Sequence, residues 1–107
     1  MTVPEIQPKD VNKEKQRLID VRTPDEYTGE LGRVPGSELF TMGEDLVIAL
    51  EKADKSEQIV FICRSGNRSG QVTSYALSKG FSQVYNMTGG MILWNELGLP
   101  VEKGGQK

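Results

Sequence analysis

A chain of 107 residues, 36% hydrophobic and 26% charged, makes one domain with one modest core, and its apolar stretches are too short to span a bilayer. A formal net charge of −2 gives no basic field for nucleic acid, and no aromatic residues interleave with Lys or Arg as base stacking requires. One cysteine and no histidine leave no internal disulfide, no zinc site of nitrogen and sulfur ligands, and no Cys–His or Ser–His dyad, so neither a metal nor a cofactor is expected. The domain is expected to fill 1–107, with its core at about 6–101 and a polar tail at 102–107. The first sixteen residues contain no continuous apolar run of the secretory kind, which leads to an expectation of a cytoplasmic protein, or a periplasmic one had a signal been removed.

Strands and helices alternate along the chain. Leu18-Ile19-Asp20-Val21 is a short apolar strand ending beside a carboxylate. Thr23-Pro24-Asp25-Glu26 supplies an N-cap, a proline at the first helical position and a capping-box glutamate, so a helix starts sharply there. Gly29, Gly32, Pro35 and Gly36 break the chain into a loop before a brief strand at 37–40. Thr41 and Glu44 repeat the capping-box spacing ahead of a helix at 46–53, whose Leu46, Ala49, Leu50 and Ala53 share one face. The strand 58–62 carries consecutive apolar residues, as a central parallel strand covered on both faces does. A helix at 70–79 ends at Gly80, a left-handed cap; a strand around Val84-Tyr85, a Gly89-Gly90 turn and a helix at 91–97 complete the pattern. Trp94 belongs to the core with Ile92 and Leu97. This alternation predicts an α/β domain with a mostly parallel central sheet of about five strands flanked by helices. Ligands of such sheets sit at the carboxyl ends of the strands, where Asp20 and Cys63 both fall.

Cys63 follows the apolar run Ile59-Val60-Phe61-Ile62 and precedes Arg64-Ser65-Gly66-Asn67-Arg68, five residues without an apolar side chain. A free cysteine after buried hydrophobes is usually a small core residue. The polar loop and the helix behind it argue instead for a nucleophile, because backbone N–H groups and the positive end of the helix dipole favour a thiolate and an anionic ligand. Four arginines, Arg22, Arg33, Arg64 and Arg68, lie in loops that can converge on one pocket. A locally positive site on a mildly acidic protein suits a small anion. Free cysteine has a pKa of about 8.5, so without a histidine the activation must be electrostatic. Arg64, beside the nucleophile, is the residue expected to meet the oxygens of an anionic donor, while the amides from Arg64 through Ser69 cradle the reacting sulfur and Gly66 relieves strain in the curve. Asp20 and Glu26 could be no more than a strand-end carboxylate and a helix cap, and Arg22 a solvated cation.

Residues 18–27 (LIDVRTPDEY), the loop 32–37 (GRVPGS), the loop 63–69 (CRSGNRS) and Thr88-Gly89-Gly90 with Trp94 together resemble the blocks of single-domain rhodanese-type sulfurtransferases, in order and in spacing. The resemblance implies a rhodanese-like three-layer fold. It also implies that Cys63 takes a sulfane sulfur from thiosulfate or a related anionic donor, holds it as a persulfide, and passes it to cyanide, a thiol or a partner protein. Ser65, Asn67 and Ser69 would line the substrate loop, and Arg68 would pair with Asp20 or Glu26 to hold its shape, with Arg22 in support. One departure is visible, since Arg33 stands where the family often has histidine.

Two other functions compete with a small-molecule sulfurtransferase. A persulfide carrier docking on a partner protein would also keep Cys63. A cysteine-based phosphatase or arsenate reductase uses a similar loop, but Cys63 and Arg68 bracket four residues where the phosphatase signature has five. A shorter ring suits a single sulfur better than a tetrahedral oxyanion. No second cysteine is present to resolve an arsenate intermediate.

Overall fold

The computed structural model describes residues 3–104 and contains a five-stranded sheet in the order β1-β5-β4-β2-β3. The strands are β1 (Glu5–Ile6), β2 (Arg17–Asp20), β3 (Glu38–Leu39), β4 (Gln58–Ile62) and β5 (Gln83–Met87), and every pairing is parallel. A 3-10 turn at Pro8–Asp10 follows β1, and four helices complete the chain: α1 (Pro24–Tyr27), α2 (Glu44–Lys52), α3 (Asn67–Ser78) and α4 (Gly90–Glu96). The expected α/β architecture is present. The two-residue strand β1 is an addition, too short to leave a pattern in the sequence.

The apolar run of β4 is divided between two cores by the alternation of a strand's side chains. Ile59, Phe61 and Cys63 join Ile19, Val21, Leu46, Leu50, Val72 and Ala76 on the face covered by α2 and α3. Val60 and Ile62 join Leu18, Val34, Met87, Met91 and Trp94 on the face covered by α4. Sheet and helices thus form three layers, with Cys63 at the top of one core. Trp94 is in the core as expected, its indole N–H donating to the Pro100 carbonyl at 2.8 Å, but Leu97, expected beside it, is 51% exposed, and neither it nor Ile92 joins that cluster. No helix among the described residues is long and apolar enough to cross a membrane.

Local rules hold at α1 and fail at α2. Thr23 accepts from the Glu26 amide and Glu26 accepts from the Thr23 amide, which is the reciprocal cap read from the sequence. At α2 the N-cap is Gly43, with φ of 124° and no side-chain cap. Thr41 instead donates to the Arg22 carbonyl at 2.8 Å, tying the end of the β3 strand's loop to the end of β2. Helix α3 begins at Asn67 rather than at 70, so Asn67, Arg68 and Ser69 form its first turn and are not loop. Gly80 takes the left-handed cap conformation expected of it, with φ of 99°. Of the polar tail, Glu102 is held in an antiparallel bridge to Arg33, and 105–107 lie outside the described residues.

Candidate active site

β4 delivers Cys63 to the carboxyl rim of the sheet, and Ser65-Gly66 turn the chain straight into α3. Gly66 adopts φ of 100°, a left-handed conformation that spares only glycine from strain, and this curls the N-terminus of α3 over the sulfur. The Gly66 amide donates to Sγ at 3.1 Å and the Ser69 hydroxyl lies 3.2 Å from it. Cys63 is 1% exposed, so the sulfur lies on the floor of the polar loop and not at its surface. Burial pushes its pKa up; hydrogen bonds from the Ser69 hydroxyl and from the Ser69, Gly66 and Ser65 amides overcome that and hold it below the ordinary thiol value. The lowering comes from hydrogen bonds at the helix N-terminus more than from arginine charge.

The arginines divide among separate tasks. Arg68 forms a two-pronged pair with Glu26, both contacts at 2.8 Å, which closes α1 against α3 across the rim. That bond drives the Glu26 carboxyl down to about 2 and raises the Arg68 guanidinium. Glu26 is therefore both a helix cap and an ion-pair partner. Asp20 does not meet Arg68. It holds Arg22 through Nε and Nη2 at 2.7 to 3.1 Å, and the same guanidinium donates to the Gly32 carbonyl at 2.8 Å. Arg22 is 1% exposed, so it is a buried structural cation and not a solvated one. Arg33 does not converge on the site either. Its guanidinium lies 4.8 Å from the Tyr27 ring centroid and donates to the Tyr27 and Gly104 carbonyls.

Arg64 is exposed and makes no ion pair among the described residues. With Arg22, Asp25, Glu26, Glu30 and Leu31 it lines an open cleft of about 240 Å³ beside the loop. Three carboxylates share that cleft, so its charge is mixed rather than uniformly positive. Behind the loop, the N-terminus of α4 donates to it: the Met91 amide to the Cys63 carbonyl at 2.9 Å and the Ile92 amide to the Arg64 carbonyl at 3.0 Å. A side chain on Gly90 would come within 2.5 Å of both carbonyl oxygens. The Gly89-Gly90 turn thus lets α4 press directly on the loop.

A scan against protein families matches the rhodanese-like domain over residues 4–97. The chain belongs to that family. The putative sulfurtransferase YtwF of Bacillus subtilis is 44% identical over 81 residues, 76% of this chain and 75% of the relative. Thiosulfate sulfurtransferase GlpE of Pseudoalteromonas translucida is 32% identical over 84 residues, 78% of this chain and 77% of the relative. Among solved structures, the rhodanese-related protein of Thermoplasma volcanium superposes with a TM-score of 0.80 at 26% identity, covering 92% of this chain and 97% of that one. Arg33, the position at which the sequence resemblance led histidine to be expected, ties the 32–37 loop to the C-terminal segment, through a backbone bridge and a 3.8 Å ion pair to Glu102 and a bond to the Gly104 carbonyl at 2.8 Å.

One residue of the site carries no loop motif and was missed by sequence reasoning. Asn86, on β5, is 4% exposed and touches Ser69, Gly66 and Glu5. A lone asparagine between Val84 and Met87 in an apolar strand was the available signal, since a buried amide needs partners.

Proposed function

We propose that this rhodanese-like chain transfers a sulfane sulfur from thiosulfate or a related small anionic donor, through a persulfide on Cys63, to cyanide or a thiol. The observation that carries the reading is the cradle itself: one sulfur, 1% exposed, receives an amide and a hydroxyl and has its pKa lowered with no histidine in the chain. The Cys63 thiolate attacks the outer sulfur of thiosulfate, forming a new S–S bond. The donor's own S–S bond breaks and its electron pair leaves with sulfite, so the charge passes to the outer sulfur of the persulfide. Cyanide or a thiolate then takes that sulfur, and the Cys63 thiolate leaves with the bonding pair. The amides of 64–69 hold the outer sulfur as an oxyanion hole holds oxygen, and Arg64 meets the donor's oxygens.

The orientation of Arg68 speaks against phosphatase chemistry. An arginine that binds a tetrahedral oxyanion must turn its guanidinium into the loop, whereas both ends of this one are committed to Glu26. The burial of Cys63 favours a small donor over a docked protein. With no second cysteine, no internal disulfide can discharge the persulfide, so the loaded form accumulates. Incubation with thiosulfate followed by desalting should leave protein heavier by one sulfur atom in intact-mass measurement, and cyanide should restore the original mass. Cys63→Ser should fold and show neither change. Turnover retained by that variant, or a stable phosphate adduct in place of the sulfur, would overturn the proposal.

A further inference from the structure

The orientation of the Asn86 amide is fixed by its neighbours. Nδ2 donates to the Gly66 carbonyl at 3.0 Å and faces the Glu5 carboxylate at 3.4 Å, both of which are acceptors, so Oδ1 is the atom that faces Ser69. The Ser69 oxygen is in hydrogen-bond contact with Asn86 Oδ1 and lies 3.2 Å from Cys63 Sγ. A serine hydroxyl carries one hydrogen. It can serve the amide oxygen or the sulfur, and not both at once.

We propose that Asn86 is a positioning residue that competes with Cys63 for the Ser69 hydroxyl and so biases the sulfur toward its uncharged forms. This rests on the persulfide reading above. With a thiol at Cys63, S–H donates to Ser69 Oγ and Ser69 O–H donates to Asn86 Oδ1, and every group in the chain is paired. With a thiolate, the hydroxyl turns to Sγ and leaves the serine and amide oxygens facing each other with no hydrogen between them. Once sulfur is loaded, Sγ is a neutral divalent sulfur and the charge lies on the outer atom, held by the loop amides. The hydroxyl then returns to Asn86. Asn86 therefore opposes the free thiolate but not the persulfide, which favours the loaded state.

The charged groups packed around this cradle are Arg68 from α3, Glu26 from α1, Asp20 and Arg22 at the end of β2, Glu5 from β1 and Arg64 in the loop. None of them hydrogen-bonds to Ser69 or to Sγ. Asp20 and Glu26 are paired with Arg22 and Arg68, and Glu5 accepts from Thr88 at 3.2 Å. Substitution at 69 touches none of the six, and substitution at 86 removes only the 3.4 Å contact to Glu5, which keeps its bond from Thr88, so differences among those variants report on the hydroxyl.

The test is the pH midpoint of Cys63 alkylation by iodoacetamide in four proteins: unaltered, Ser69→Ala, Asn86→Ala and the double variant. Ser69→Ala should raise the midpoint, because a donor to the thiolate is lost. Asn86→Ala should lower it by about half a pH unit, because the hydroxyl is freed for the sulfur. The double variant should match Ser69→Ala, since Asn86 acts only through Ser69. An open cleft lined by Glu5, Gly66 and Asn86 admits water to replace Nδ2 at the Gly66 carbonyl. Should the alanine variant not fold, the near-isosteric Asn86→Leu gives the same reading. A midpoint that rises or stays put on loss of Asn86, or effects at 69 and 86 that simply add, would overturn the proposal and make Asn86 a structural brace. No sulfur donor enters this assay, so it fails independently of the intact-mass test of sulfur transfer.

Discussion

At the carboxyl rim of the sheet Asp20 holds Arg22 with neither side chain more than 1% exposed, whereas Glu26 holds Arg68 with 28% and 35% of the two side chains open to water. The contacts differ in length by only a tenth of an ångström, 2.7 and 2.8 Å. Their surroundings differ far more. The inner pair sits at the end of β2, and its guanidinium also donates to the Gly32 carbonyl, so it pins the 32–37 loop to the sheet. The outer pair joins α1 to the first turn of α3, one turn from the sulfur. Burial makes the inner pair a structural joint that cannot lose one partner cheaply, while solvent leaves the outer pair adjustable.

Arg22→Ala is the substitution that tests this contrast most severely. It strands Asp20 without a partner in the interior and should cost about 3–5 kcal/mol in urea unfolding. The paired change Asp20→Asn with Arg22→Met removes both charges together and should recover much of that loss. A single-variant cost no greater than that of removing Arg68 would show that burial does not distinguish the pairs.

The same contrast explains what the sequence could and could not reveal. Alternation of apolar runs with capped helices made the α/β sheet legible, and the 58–62 run placed Cys63 at a strand end because a parallel strand covered on both faces has no other pattern. The capping box at Thr23 was legible because it is local. Arg22 was not, since arginine is ordinarily exposed and its burial depends on a carboxylate two residues away being buried with it. The start of α3 at Asn67 was missed because Gly66 and Asn67 are loop-forming types; here the left-handed glycine launches the helix, and no side chain caps it. The Thr41–Glu44 spacing misled for the converse reason, a tertiary contact to the Arg22 carbonyl having claimed the threonine hydroxyl. Asn86 acts across sequence separations of 17 and 20 residues, which no local pattern encodes.

Arg68→Ala sharpens the comparison from the other side. The pair it removes is partly solvated, so the expected loss near neutral pH is about 1 kcal/mol. Its pH dependence has a definite sign. Glu26 is held at about 2 in the folded chain, below its ordinary 4.5, so the unfolded chain binds the proton first and the stabilisation is lost as the solution is acidified. The gap between the unaltered chain and Arg68→Ala should be full above about pH 4.5 and close as pH falls toward 2. A gap independent of pH over that window would mean that the pair is not what Arg68 contributes.

Arg64 supplies the smallest expected effect on the fold and the cleanest separation of binding from stability. It is exposed, has no ion-pair partner among the described residues, and lines the cleft beside the loop. Arg64→Ala should therefore leave unfolding within about 0.5 kcal/mol of the unaltered chain. On the function proposed above it also removes a charge-assisted contact to the oxygens of an anionic donor, so KM for thiosulfate should rise about tenfold while kcat changes little. An uncharged sulfane donor has no oxyanion to lose, and its KM should be unaffected by the same substitution. Were both donors weakened equally, Arg64 would be shaping the loop rather than meeting charge. The three cationic side chains at this rim would then differ only in burial, and the division of labour among Arg22, Arg68 and Arg64 would have to be redrawn.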